Sequence, residues 1–344
     1  MDKRIIFAVA GSGKTTYIVD FLNTNKRVLI VTYTDNNYEN LREKILHKFQ
    51  GIWPENITLM SYFDFLYRFC YKPFMADEIR AKGITYQSNI NRYVKQSAQS
   101  YYISPERYLY SNRLALLLDR KHIIPDIKNR IETYFDEFII DEIQDIAGRD
   151  FNFLDKLMEA NVNMLFVGDF FQHIYDTSRD GNVNKSLFND KSLYEKCFLS
   201  KGFAIDTDTL KNSWRCGKRI CEFVTENLGI QIYSNFDNGT LVQFISDRVE
   251  VDKILANNSI IKLRYNNSTK YIYRCKNWGE TKGEDCYQDV CVILNKETMK
   301  KFKSGNLLNL KPSTRNKLYV AITRAHGNVF LIEDMASKMK RWIR

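Results

Sequence analysis

The chain has 344 residues, 44% of them hydrophobic and 14% aromatic, with a formal net charge of +10. No apolar run approaches the ~20 residues that cross a bilayer as a helix, and the length suits two domains with cores of their own. The positive balance favours a polyanionic partner, nucleic acid first.

The first element is the apolar run IIFAVA at 5–10. Two basic residues precede it, which superficially suggests a signal peptide. The run is too short and ends in a glycine loop, so the expected compartment is the cytoplasm. AVAGSGKTT at 8–16 follows, and then the helical pattern TTYIVDFLNTN. Strand, glycine loop and helix form the context of a phosphate-binding loop. Small residues let backbone N–H groups curl around phosphate oxygens, and the helix start adds positive potential. Ala10, Gly11, Ser12, Gly13, Lys14, Thr15 and Thr16 are the candidate contacts. Lys14 is expected on the β- and γ-phosphates and the Thr15 hydroxyl on Mg²⁺. Ala8 stands where the usual pattern has glycine.

RVLIVTYT (27–34) reads as a second strand, and DNNYENLREKILHKF (35–49) as a helix capped by Asp or Asn. NITLMSYFDFLYRF (56–69) reads as a strand turning into a helix. Residues 71–130 carry eleven Lys/Arg against five Asp/Glu, with seven tyrosines and no strong strand. They are expected to form a helical insertion that contacts duplex DNA or a partner, or else an ordinary solvated helical face. FDEFIIDEIQD (135–145) is an apolar strand ending in carboxylates. Asp141 is the expected Mg²⁺ ligand. Glu142 is the expected base that orients and deprotonates water.

NVNMLFVGD (161–169) is a further strand. Beyond it, SIIKLRY (259–265), YQDVCVIL (287–294) and NVFLIED (328–334) read as strands, and 215–228 and 316–325 as helices. The expected fold is α/β, with parallel sheets flanked by helices and a helical insertion in the first part. The expected division is 1–195 with the insertion at about 71–130, then 196–344. The seven cysteines lack a CxxC pair and read as reduced thiols. The alternative is a metal or iron–sulfur site built from Cys216, Cys221, Cys286 and Cys291, whose pairs are wider than metal-binding pairs usually are.

Eight segments in fixed order resemble the UvrD/PcrA/Rep-like helicases of superfamily 1: GSGKTT, VTYTDNNYENLREKI, LMSYFDFLYRF, DEIQD, VGDFFQHIYD, LKNSWRCGKRI, ETKGEDCYQDVCVI and LYVAITRA. The basic insertion and about 225–275 match poorly. The resemblance implies two RecA-like P-loop cores with parallel sheets, and an ATP-dependent motor on single-stranded DNA, moving 3′ to 5′, in which the cores hold ATP and Mg²⁺, close and reopen. It implies that Gln172 contacts the γ-phosphate, that Arg215 and Arg324 reach it from the second core, and that Trp214 stacks on adenine. It places Lys282, Gly283 and Asp285 between nucleotide and DNA, although Glu284-Asp285 replaces the usual LE. Tyr33 is expected to stack on a base, with Thr34 and Asn37 on phosphate or sugar. Tyr62 and Phe63 are expected in the core.

Three departures matter. Only a few residues precede the first strand, so the glutamine segment that reads adenine is expected to be missing. Weak discrimination of ATP from GTP would follow, and a hundredfold ATP preference in a four-triphosphate comparison contradicts it. Thr177 stands where an aromatic usually follows IY. About sixty residues separate the NYRS-type and KGLEF-type segments, where the family inserts a large helical domain. A stripped motor that translocates on single strands, or works only with a partner, fits these departures. The rival reading is a helicase-like ATPase switch that signals to a protein partner such as a nuclease. RNA stays open as a ligand, and no membrane partner is expected. A GTPase reading fails on Asn316-Lys317-Leu318-Tyr319, which lacks the guanine-reading Asp.

Overall fold

A computed structural model describes residues 1–87, 89, 93–174, 183–334 and 342. Thr177 lies outside these residues. Two compact units emerge. The first comprises Met1–Ile6, Lys14–Gly168 and Tyr175–Asp206, and the second Phe7–Gly13, Asp169–Ile174 and Thr207–Arg344.

The first unit opens with β1 (Lys3–Phe7), α1 (Lys14–Phe21), β2 (Val28–Thr32), α2 (Asp35–Lys48) and β3 (Ile57–Ser61). Helix α3 (Tyr62–Asp64) continues through a π-helical stretch at Phe65–Tyr71 into α4 (Lys72–Ile79). There follow β4 (Gly83–Thr85), β5 (Tyr108–Tyr110), α5 (Ser111–Arg120), α6 (Ile124–Tyr134) and β6 (Glu137–Asp141). The unit ends with α7 (Gly148–Leu157), β7 (Asn163–Gly168), α8 (Lys191–Leu199) and β8 (Ala204–Asp206). Six strands form one sheet in the order β3-β2-β6-β7-β1-β8. The β2–β3, β2–β6, β6–β7 and β1–β8 ladders are parallel. Parallel strands covered on both faces need continuous apolar runs. VLIVT in β2 and EFIID in β6 supply them, buried at every position. The 71–130 segment holds α4, α5 and the first part of α6, and between α4 and α5 a two-stranded parallel ladder of β4 and β5.

The second unit contains β9 (Asn212–Ser213), α9 (Lys218–Leu228), β10 (Tyr233–Ser234), β11 (Val242–Ile245), α10 (Arg248–Ala256) and β12 (Ile261–Arg264). It closes with β13 (Cys275–Asn277), β14 (Val290–Leu294), α11 (Lys296–Lys303), α12 (Pro312–Ile322) and β15 (Val329–Glu333). Its five-stranded parallel sheet runs β11-β15-β14-β12-β13. Two parallel α/β sheets are the fold the alternating pattern predicts. Val9 and Ala10 belong to this unit's core with Cys216, Ile220 and Tyr319. All seven cysteines are free thiols, with Cys70, Cys216, Cys221 and Cys291 buried and Cys286 exposed. Among the described residues, no helix is long and apolar enough to cross a membrane, and no group of three or more His, Cys, Asp and Glu side chains could hold a metal ion.

Candidate nucleotide site

In the first unit, Lys14 opens α1 and Asp141 closes β6. One strand, β7, lies between β6 and β1 in the sheet. Lys14 Nζ lies 3.5 Å from Glu142 Oε1, and both side chains are largely buried. Asp141 is buried. Its pKa is raised to about 7, first by burial and then by the Glu142 charge, with Lys14 opposing. The Glu142 N–H donates to Asp141 Oδ1 at 3.0 Å, and Gln144 Nε2 donates to Glu142 Oε2. Glu142 has φ +55°, where the chain leaves β6 for the tight turn Ile143–Asp145. A left-handed backbone at a non-glycine residue costs about 1–3 kcal/mol and persists only where its surroundings enforce it. The last residue of β7 leaves room for the turn that follows by being glycine. A Cβ on Gly168 would stand 2.2 Å from Gln144 Oε1 and 2.7 Å from Ile143 Cγ2. Thr15 is half-buried, and the Thr16 hydroxyl accepts from Lys44 Nζ at 3.0 Å.

The expected nucleic-acid residues also sit in the first unit. Tyr33 is half-buried, its ring centroid 5.9 Å from those of both Tyr62 and Phe63. Tyr62 is buried, while Phe63 is half-buried and meets the exposed Tyr86 edge-on at 5.3 Å. Thr34 caps α2, its Oγ1 accepting from the Asn37 N–H at 3.2 Å. The Thr34–Asn37 pair therefore has a helix-starting task whatever else it touches.

In the second unit, Gly11 and Gly13 have φ of +70° and +85°. A Cβ on Gly11 would stand 2.6 Å from Arg215 Cβ and 2.8 Å from Ser213 Oγ, so only glycine fits there. The Trp214 N–H donates to the Gly11 carbonyl at 2.8 Å, and its ring is 69% exposed. The buried Ser12 hydroxyl has no hydrogen-bond partner among the described residues. Arg215 Nε pairs with Asp285 Oδ1 at 2.5 Å, and His326 Nε2 is 2.8 Å from the same oxygen. Burial pushes the Asp285 pKa up, but the Arg215 hydrogen bond and charge outweigh it and hold the carboxyl low. Arg324 is buried, donating to the carbonyls of Glu284 at 2.9 Å, Val320 at 3.3 Å and Thr281 at 3.4 Å. Burial first, then Arg215, lower its pKa to about 10, so it stays charged at neutral pH. Gly283, at φ +84°, is followed by Glu284, which pairs with Lys276 and Tyr287.

Gln172 is buried, and its Nε2 donates to Asp169 Oδ2 at 2.9 Å. The Tyr319 hydroxyl donates to the same oxygen at 2.9 Å and accepts from the Ala10 N–H at 2.8 Å. Asn316 Nδ2 donates to the His173 carbonyl at 3.0 Å. No motif in the sequence assigned a site role to Asp169, Tyr319 or Asn316. They stand inside the VGDFFQ stretch and within α12, but nothing local marks residues about 150 positions apart as hydrogen-bonded.

The residues suit a nucleoside triphosphate with Mg²⁺. Left-handed glycines and an unsatisfied buried hydroxyl belong to the loop, and a hydroxyl and a carboxylate supply the oxygen donors that Mg²⁺ takes. Residues 2–178 match the family model AAA_19, described as an AAA domain. The chain belongs to this AAA-domain family. Two solved structures share the fold of this AAA-domain protein. One is the complex of arterivirus nonstructural protein 10 (helicase) with DNA, at 13% identity and TM-score 0.52, with 98% of this chain and 62% of that chain covered. The other is a crystal structure of the same arterivirus protein, at 12% identity and TM-score 0.50, with 99% and 62% covered. The AAA-domain protein thus spans less than two thirds of the length of these structures. No curated protein matches it in sequence.

Proposed function

We propose that this AAA-domain protein is a UvrD/PcrA/Rep-like superfamily 1 nucleoside triphosphatase that couples ATP hydrolysis to movement along single-stranded DNA. The carrying observation is the buried Asp141 beside the largely buried Lys14 and Glu142, with Lys14 Nζ 3.5 Å from Glu142 Oε1. Lys14 binds the β- and γ-phosphates, and Glu142 orients the attacking water and takes its proton. Thr15 and Asp141 would hold Mg²⁺, which when bound neutralises charge on the phosphates. Gln172, Arg215 and Arg324 serve the γ-phosphate, and the exposed face of Trp214 stacks on the base. Gly283 and Asp285 line the nucleotide side. Tyr33 offers a ring to DNA, with Thr34 and Asn37 beside it. The 3′-to-5′ direction rests on the eight-segment resemblance. The DNA in the arterivirus helicase complex supports a nucleic-acid ligand.

Phosphate release measured alone, and with single-stranded DNA, single-stranded RNA or duplex DNA, tests the reading. Stimulation by single-stranded DNA is the expected result, and absence of hydrolysis under all four conditions overturns it. Displacement of streptavidin from a biotinylated oligonucleotide separates movement from a switch that only hydrolyses.

A further inference from the structure

The Asp169 carboxylate has a use beyond the roles above. Its Oδ2 receives both Gln172 Nε2 and the Tyr319 hydroxyl at 2.9 Å, while its Oδ1 accepts the Phe171 N–H at 3.1 Å. The Tyr319 oxygen in turn takes the N–H of Ala10, two residues into the loop from Ala8. Asp169, Gln172 and Tyr319 are all buried, so water cannot substitute for a missing partner. We propose that Asp169 and Tyr319 are positioning residues that lock the side chain of Gln172 and the backbone of the phosphate loop into one hydrogen-bonded unit. The orientation of Gln172 and the path of the loop at Ala10 are then set together, so that neither adopts its working geometry without the other.

The direction of the bonds is fixed by chemistry. Burial, and then the Asp169 charge, push the Tyr319 pKa well above the ordinary phenol value. The phenol therefore keeps its proton and donates it to the carboxylate. An amide N–H can only donate, so Ala10 fills the phenol's acceptor side. A phenylalanine at 319 keeps the ring against Phe171, 6.3 Å away and edge-on, and removes only the relay.

The kinetic part of the test rests on the proposed hydrolysis, and the exchange part does not. Tyr319→Phe is compared with the parent by hydrogen–deuterium exchange over residues 7–13 and by steady-state hydrolysis. Faster exchange at the loop, a kcat at least tenfold lower and a nucleotide KM within threefold are expected. The double variant Tyr319→Phe/Gln172→Ala should be no slower than the slower single variant, because both break one unit. Unchanged loop exchange overturns the inference, whether or not the parent hydrolyses nucleotide. Parental kcat in Tyr319→Phe, or losses that multiply in the double variant, overturn it too. Faster exchange in Tyr319→Phe, with a parent that hydrolyses nothing, keeps the lock and removes the proposed activity instead. Should Tyr319→Phe fail to fold, Asp169→Asn gives the same readouts with the same criteria.

Discussion

Glu142 concentrates the chemistry of the first unit in one residue. Its backbone stands at φ +55°, and its carboxylate reaches both Lys14 and Gln144. The apolar run FII ahead of the carboxylates made Asp141 and Glu142 legible as strand-end acids. The left-handed turn was not legible, because the room for it depends on Gly168, which is remote in sequence. Glutamine at 142 keeps the shape and one acceptor oxygen, and loses the carboxylate that the proposed base role needs. Glu142→Gln should therefore lower turnover by roughly 10²–10⁴-fold, the range general-base catalysis supplies. Fluorescent-nucleotide titration should give an affinity close to that of the parent. Parental phosphate release by this variant removes Glu142 from the base role.

Elements with their own hydrophobic period could be read directly. IIFAVA, RVLIVTYT and FIID became β1, β2 and β6, and the helix expected at 35–49 became α2. The short strands β4, β5, β8 and β11 escaped, since three or four residues carry too little pattern and each depends on a partner remote in sequence. The same dependence on remote partners makes the end of β7 a sensitive point. Gly168 is the surface on which the Ile143–Asp145 turn rests, and a methyl there overlaps both Gln144 and Ile143. Overpacking of this kind costs about 1–3 kcal/mol. Gly168→Ala should lower the thermal midpoint. It should also depress turnover more than a simple stability loss at working temperature explains, because the displaced turn carries Glu142. Thermal melts and phosphate release on the same preparation check this, and a variant with parental values for both shows that the turn does not need the glycine.

The charge of the whole molecule sets how it should meet its ligand. A net +10, with eleven Lys/Arg against five Asp/Glu in 71–130, makes the protein a cation at neutral pH. Some of that charge is spent internally, as in the Lys121–Glu78 and Lys156–Asp119 pairs, but exposed pairs of this kind hold their charges weakly. Single-stranded nucleic acid bound by such a surface releases condensed cations, and affinity falls with salt by a slope of about −0.7 per neutralised phosphate. For about four phosphates, raising salt from about 50 to about 200 mM weakens binding roughly fiftyfold. The stacking on a base proposed for Tyr33, whose ring lies 5.9 Å from that of Phe63, would be screened little by salt. Tyr33→Ala should therefore shift the whole salt curve towards weaker binding without changing its slope, whereas removing lysines should flatten it. Fluorescence anisotropy with a labelled oligonucleotide across a salt series measures both. A flat curve for the parent shows that the positive charge is not what holds the strand, and a Tyr33→Ala curve that superimposes on the parent removes that ring from the contact.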